Sequence, residues 1–365
     1  MTVVLCDKYL SLHLSRTIRA LLALMWCAVI AIMNPTTVLA SSRLKTDIVY
    51  MRNGDKITCE IRSLQQGQLT VKPDYTNATI ALDWAKIDHI ESTQQFVVSD
   101  PQGILHPGSL IGEPKTGAVT IAGDTSKTLS QNDVVEIEPL GQTFLRKFRG
   151  SIDLGLSIAR SNSQKNLSLQ TDLTYQSVKD IFSADSSYQF TTQQQTNNTN
   201  EATVKSELFR QLKRSNWYAG GLANFLASSE QQIDLRSTLG LGLAKRQIFT
   251  NRTNLNVIGG MVYTVERDAK DAISTARTSS LDGALAVQYS TFRFDSTTFD
   301  TTLWLYPSIT SPGRLRLTLN QDVYYKFLGD FYVRMSFYDN YDNQPVVGAP
   351  TNNLGLSSSV GWSFR

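Results

Sequence analysis

From Phe148 onward the sequence alternates apolar with small or polar side chains, in segments of about ten to fourteen residues. Ile152, Leu154, Leu156 and Ile158 interleave with Asp153, Gly155, Ser157 and Ala159. Leu235, Leu239, Leu241 and Leu243 share a face opposite Arg236, Thr238, Gly240, Gly242 and Ala244. A period of two means strands, each with one greasy face and one wet or small face. Two architectures satisfy such faces. A soluble sandwich packs the greasy faces together. A membrane barrel turns them to lipid and keeps the polar groups inside.

Three features favour the barrel. The segments reach the ~9–11 residues a spanning strand needs, against ~5–6 for an average globular strand. Twelve of them can be counted, near 148–160, 164–176, 181–193, 201–212, 216–228, 232–247, 253–266, 278–291, 296–309, 314–327, 331–342 and 353–365. Twelve is even, as bacterial barrels require. The connections also differ. Lys213–Asn216, Thr250–Arg252, Ser311–Gly313 and Leu328–Asp330 are short, whereas Thr191–Asn200, Asp268–Arg277 and Asp342–Asn352 are longer and polar. Short and long do not alternate strictly, which leaves the orientation open. Of the 34 aromatic residues, 27 lie in 148–365. Trp217-Tyr218, Tyr324-Tyr325, Phe331-Tyr332, Trp304 and Tyr306 sit near strand ends, where interfacial girdles are expected.

The charge is spread thinly, at +3 over 365 residues, far from a nucleic-acid footprint. Only one long apolar run exists, Ala20–Met33. Lys8, Arg16 and Arg19 precede it, and Pro35 and Val38-Leu39-Ala40 follow. This is the layout of a secretory signal peptide over residues 1–40. Fourteen residues would span only ~21 Å of a ~30 Å bilayer core, too short for an anchor. Cleavage near Ala40 would remove Cys6 and Cys27 and leave Cys59, so no internal disulfide is expected.

Residues 45–140 read as short strands joined by turns. Asp47–Met51 leads into Asn53-Gly54-Asp55, a hairpin signal. Gly67 marks a second turn. Gly54–Ile61 matches Gly103–Leu110 in spacing, and Ile87-Asp88-His89-Ile90-Glu91 resembles Val134-Val135-Glu136-Ile137-Glu138. Two small barrel-like units of about 45 residues are expected, each too small for an independent core. His89 and His106 are expected to be solvated, and no metal or other cofactor is expected.

Residues 148–365 hold neither histidine nor cysteine, which removes the usual Ser-His and Asp-His hydrolytic designs. Asp339 and Asp342 read as solvated turn residues, so no catalytic residue is expected. Asp172, Glu207, Arg236, Arg314, Arg316 and Arg334 alternate with lipid-side residues and should line the lumen.

Several stretches resemble the salt-induced outer-membrane protein family, a domain family of unknown function in Gram-negative bacteria. They are Asn53-Gly54-Asp55, Asp83-Trp84-Ala85-Lys86-Ile87 with Ile90-Glu91-Ser92, Gly150-Ser151-Ile152-Asp153-Leu154-Gly155, and Gly361-Trp362-Ser363-Phe364. The resemblance implies an outer-membrane barrel with an amino-terminal periplasmic domain and supplies no catalytic residues. Such barrels usually finish on an aromatic residue; here Arg365 follows Phe364. Val360, Trp362 and Phe364 keep the face, so assembly is expected to survive.

The expectation is therefore all-β: a signal peptide, a small periplasmic β domain of SH3-like units over 45–140, and an antiparallel transmembrane barrel of about twelve strands over 148–365. Its expected partners are outer-membrane lipid, the barrel assembly machinery and an envelope partner of residues 45–140. Two roles stay open, a narrow conduit for small solutes or ions and a closed anchoring barrel. A third possibility is that the amino-terminal domain gates the barrel.

Overall fold

The computed structural model describes residues 45–364 apart from 77, 141–147, 160–163, 178, 193–197, 213–214, 270–276, 293–296 and 329–330. The segment read as a signal peptide, residues 141–147 between the two β regions, and Arg365 lie outside the described residues.

The amino-terminal sheet contains β1 (Asp47–Met51), β2 (Lys56–Gln65), β3 (Gln68–Pro73), β4 (Ile80–Asp83), β5 (Ile87–Ser99), β6 (Leu105–Gly112), β7 (Ala118–Ala122), β8 (Lys127–Ser130) and β9 (Glu136–Pro139). Its order is β4-β3-β2-β1-β5-β6-β7-β8, with β9 pairing both β2 and β5. The sheet holds two successive sets of similar elements. Each unit has strands, a single-turn 3₁₀ helix (Trp84–Lys86, then Gln131–Asp133) and a closing strand. The units are fused, because the long β5 closes the first and opens the second. One core runs through both, from Val49, Ile61 and Trp84 to Phe96, Ile121 and Ile137.

Gln131 stitches the fused units together. Its buried Nε2 donates to the carbonyls of Trp84 (2.8 Å) and Ile87 (2.9 Å), and its Oε1 accepts from Arg52 at 3.0 Å. The Trp84 indole donates back to the Gln131 carbonyl at 2.8 Å. The histidines are not solvated. His89 is 6% exposed, stacks on Tyr50 with centroids 4.1 Å apart and bonds Asp88 at 2.8 Å. His106 bonds Asp100 at 3.0 Å. Alternation in a sheet puts one residue in two against a core, and a half-buried histidine needs only one carboxylate to satisfy it. Burial and the nearby carboxylates of Asp47, Asp74 and Glu60 push the Cys59 thiol up to about 12, so it stays protonated at neutral pH.

The remaining strands are β10 (Phe148–Ala159), β11 (Gln164–Gln176), β12 (Asp180–Thr192), β13 (Thr199–Gln211), β14 (Trp217–Ser228), β15 (Ile233–Phe249), β16 (Thr253–Asp268), β17 (Arg277–Phe292), β18 (Thr297–Pro307), β19 (Leu315–Leu328), β20 (Phe331–Asp342) and β21 (Asn352–Phe364). They form a closed antiparallel barrel in chain order. Closure comes from β10 against β21, with Gly150 opposite Phe364 and Leu154 opposite Val360. A closed ladder leaves no unpaired edge, the condition for a sheet in lipid. The barrel strands run from 11 to 17 residues, long enough to span.

The two faces separate cleanly. Leu154, Leu241, Met261, Leu285, Leu356 and Val360 point outward and are exposed. Asp153, Glu207, Thr264, Asp282 and Arg334 point inward and are buried. Charges inside and leucines outside are the reverse of a soluble sandwich. The imperfect loop alternation also resolves. The β18–β19 connection, though short, lies at the same end as the long connections.

Candidate pore lumen

The inward strand positions carry charged side chains joined in ion pairs, each set by β register. Arg334 on β20 reaches Asp322 on β19 (2.9 Å), Asp172 on β11 (3.1 Å) and Asp153 on β10 (3.3 Å). Arg316 on β19 pairs with Asp282 on β17 at 2.5 Å and donates to Thr264 at 2.9 Å. Arg314 grips both oxygens of Asp342, at 2.6 and 3.1 Å. Arg236 on β15 bonds Glu266 on β16 at 2.5 Å and lies 3.5 Å from Asp342. Lys205 bonds Glu207 at 2.6 Å and sits 5.1 Å over the Trp304 ring.

Some of these contacts cross the barrel. Arg236 to Asp342 links β15 to β20. Asn353 on β21 donates to Glu201 on β13 at 2.9 Å. Gln288 on β17 donates to Glu207 on β13 at 3.5 Å. Between them lies a cavity of about 360 Å³ whose wall includes Asp172, Asp185, Glu201, Lys205, Arg236 and Arg334. Pro345, Val346, Pro350 and Thr351 also line it, so it reaches the end with the longer connections.

The other end is filled. Phe209, Tyr218, Ala244, Ile258, Val262 and Trp304 form an apolar cluster on the inner wall of β13 to β18. Trp304 is 2% exposed and stacks on Tyr306 with centroids 5.6 Å apart. Both aromatics were expected in an interfacial girdle, and the structure corrects this. A position near a strand end does not fix a face, but parity does. Leu303 and Leu305 face outward, so Trp304 faces in. The same parity splits the doublets, leaving Trp217, Tyr325 and Phe331 exposed while Tyr218 and Tyr332 are buried inside rather than in the girdle.

The amino-terminal domain sits across this filled end. Arg149 donates to Ser63 at 3.0 Å and also to Gln65. The side chains of Gln211, Asn216 and Asn251 donate to the carbonyls of Gly103 (2.8 Å), Pro101 (2.9 Å) and Val134 (2.6 Å). Glu136 accepts from Gln176 on β11 at 2.7 Å and lies 4.0 Å from Arg246 on β15. Arg246 is flanked by Tyr218 and Phe249, at 5.0 and 4.3 Å. The gap beside Glu136 holds only about 10 Å³, hardly one water. Charge complements the fit. Residues 45–140 carry 13 acidic and 8 basic side chains, while residues 148–365 carry 18 and 21.

All six residues named from the sequence sit on inward strand positions or beside them, and five of the six make ion pairs with partners that the sequence reading did not single out. Asp342, read as a solvated turn residue, is instead 9% exposed and holds two arginines. Lys205, Glu266, Asp282 and Asp322 were also missed. Face parity would have found them, since each shares its face with a named residue or pairs with one. Among the described residues no group of His, Cys, Asp and Glu is arranged to hold a metal ion.

Comparison with curated proteins finds no match. Among solved structures the chain is similar to the translocator domain of the autotransporter NalP from Neisseria meningitidis, at 12% identity and TM-score 0.32, over 60% of this chain and 87% of that one. It is similar to the NanC porin at 14% identity and TM-score 0.38, over 59% and 99%. An outer membrane channel from Pseudomonas putida F1 matches at 13% identity and TM-score 0.33, over 60% and 94%. A family model matches residues 152–364, nearly the whole barrel and more than half of the chain. The chain belongs to that family, described as "Protein of unknown function, DUF481".

Proposed function

We propose that the protein is an outer-membrane conduit for small hydrophilic solutes or ions, shut in this state at the end that carries the amino-terminal domain. One observation carries the reading. A polar cavity of about 360 Å³ lies inside the barrel and reaches one end of it. A barrel that served only as an anchor would be expected to fill that space with side chains, as small barrels do. The apolar cluster and the domain above it close the opposite end, which the reading places in the periplasm. Both chain ends of the barrel lie there, the usual arrangement for bacterial outer-membrane barrels. Outer-membrane lipid against the outward face and the assembly machinery are then its envelope partners.

A second reading is a closed anchoring barrel whose amino-terminal domain holds an envelope partner. The contacts that cross the lumen favour it, because they brace the wall. Planar-bilayer recording separates the two. The purified chain is expected to give discrete current steps, and Glu136→Ala, which loosens the domain, is expected to lengthen the open periods. If both proteins are silent while heat-shifted gel mobility reports a folded barrel, the anchoring reading replaces the conduit.

A further inference from the structure

The inner wall is not electrically balanced. Away from the covered end its bases Lys205, Arg236, Arg314, Arg316 and Arg334 are all held in ion pairs. Seven carboxylates hold them, since Arg334 takes three and Arg236 and Arg314 share two. Three further carboxylates, Asp185, Glu201 and Asp300, share the inner face and make no ion pair among the described residues. Asp185 and Glu201 line the cavity directly. Away from the covered end, where Arg149 and Arg246 meet the domain, these ten carboxylates face five bases.

The β register sharpens the imbalance. Asp172 stands directly opposite Asp185 between β11 and β12. Asp300 stands directly opposite Asp322 between β18 and β19. Like charges in directly opposed positions destabilise a sheet. A wall selected only for strength would avoid two such pairs. Local conflicts of this kind collect where function demands them. Both pairs adjoin Arg334, which binds Asp172 and Asp322 and leaves Asp185 and Asp300 without an ion pair among the described residues.

We infer that the lumen selects for small cations over anions, with Asp185, Glu201 and Asp300 setting the preference. The inference rests on the conduit reading and names the charge class of what passes. A cleft lined by one sign of charge in low-dielectric walls concentrates counter-ions roughly tenfold or more. Rings of carboxylates give cation channels their selectivity by the same field. The ion-paired arginines do not cancel it, since their charge is already matched. What remains is the surplus.

The test is the reversal potential of single-channel currents in a potassium chloride gradient. The full chain is expected to pass potassium over chloride by roughly tenfold, the low end for such a cleft. The triple variant Asp185→Asn, Glu201→Gln, Asp300→Asn is expected to bring the ratio several-fold nearer to one. These substitutions keep shape and relieve repulsion, so heat-shifted gel mobility should be unchanged or shift to higher temperature. A third protein, Arg314→Ser, adds to the surplus and is expected to raise the ratio. Steps with no cation preference in the unaltered chain, or a preference that the triple variant leaves intact, overturn the inference and spare the conduit. A silent bilayer removes both.

Discussion

Gln131 shows how one side chain can hold two repeats in register. Its amide donates to two carbonyls of the first unit, at Trp84 and Ile87, although it belongs to the second, and it shares the Ile87 carbonyl with Arg52 Nε. Gln131→Met keeps the length and removes all three side-chain hydrogen bonds. Two carbonyls are then buried without this donor, at a cost of about 1–3 kcal/mol. Hydrogen exchange at the buried amides of Ile61 and Ile90 is expected to quicken by roughly tenfold or more. Unchanged exchange at both amides would show that the stitch contributes nothing. The residue is invisible to periodicity. Nothing in Ser130-Gln131-Asn132 distinguishes a buried amide from a turn, because its partners lie more than 40 positions away. The same holds for Asp342, whose burial depends on Arg236 across the lumen.

At the scale of strands, the alternation in the sequence is enough to predict the barrel. The strand read at 331–342 coincides with β20, and most other boundaries fall within two residues. The barrel is legible because every strand has lipid on one side, so each repeats the same contrast. The amino-terminal sheet gives a weaker pattern, since its long strands pass from one unit to the other and change neighbours midway. Gly220, Gly242 and Gly260 form a row across β14, β15 and β16 in direct register. A Cβ on Gly260 would lie 2.3 Å from the Leu241 carbonyl oxygen. On Gly259, which faces lipid, the nearest atom would be 3.8 Å away. Gly260→Ala must therefore push backbone apart, at about 1–3 kcal/mol. Gly259→Ala is expected to be neutral or slightly stabilising. Urea titration of the two variants in lipid vesicles compares them directly. Equal midpoints would mean that the row has room to spare.

The whole molecule is an acidic domain set on a slightly basic barrel, and on the conduit reading the contacts fix which parts must separate for solute to pass. Glu136 lies between Gln176 on β11 and Arg246 on β15, four strands apart around the ring. A domain seated there cannot remain in place while an open path runs beneath it. Tying it down should therefore shut the conduit. The turn at Gly67 offers the site, because a Cβ built there lies 3.7 Å from the Asn251 Cβ. Disulfides have a mean Cβ separation of about 3.8 Å. Gly67 has φ +70°, so cysteine there costs about 1–2 kcal/mol, and the Asn251 carbonyl 2.9 Å away must yield slightly. The double variant Gly67→Cys, Asn251→Cys is its own control. Reduced, it should conduct like the unaltered chain, or more readily, since the Asn251 bond to Val134 is lost. Oxidised, it should fall silent, and dithiothreitol should restore the steps. Cys59 does not interfere, because its thiol is buried and protonated. If currents are the same with the bridge closed and open, the solute path does not run under the domain. The apolar cluster around Trp304 would then be the barrier that must move.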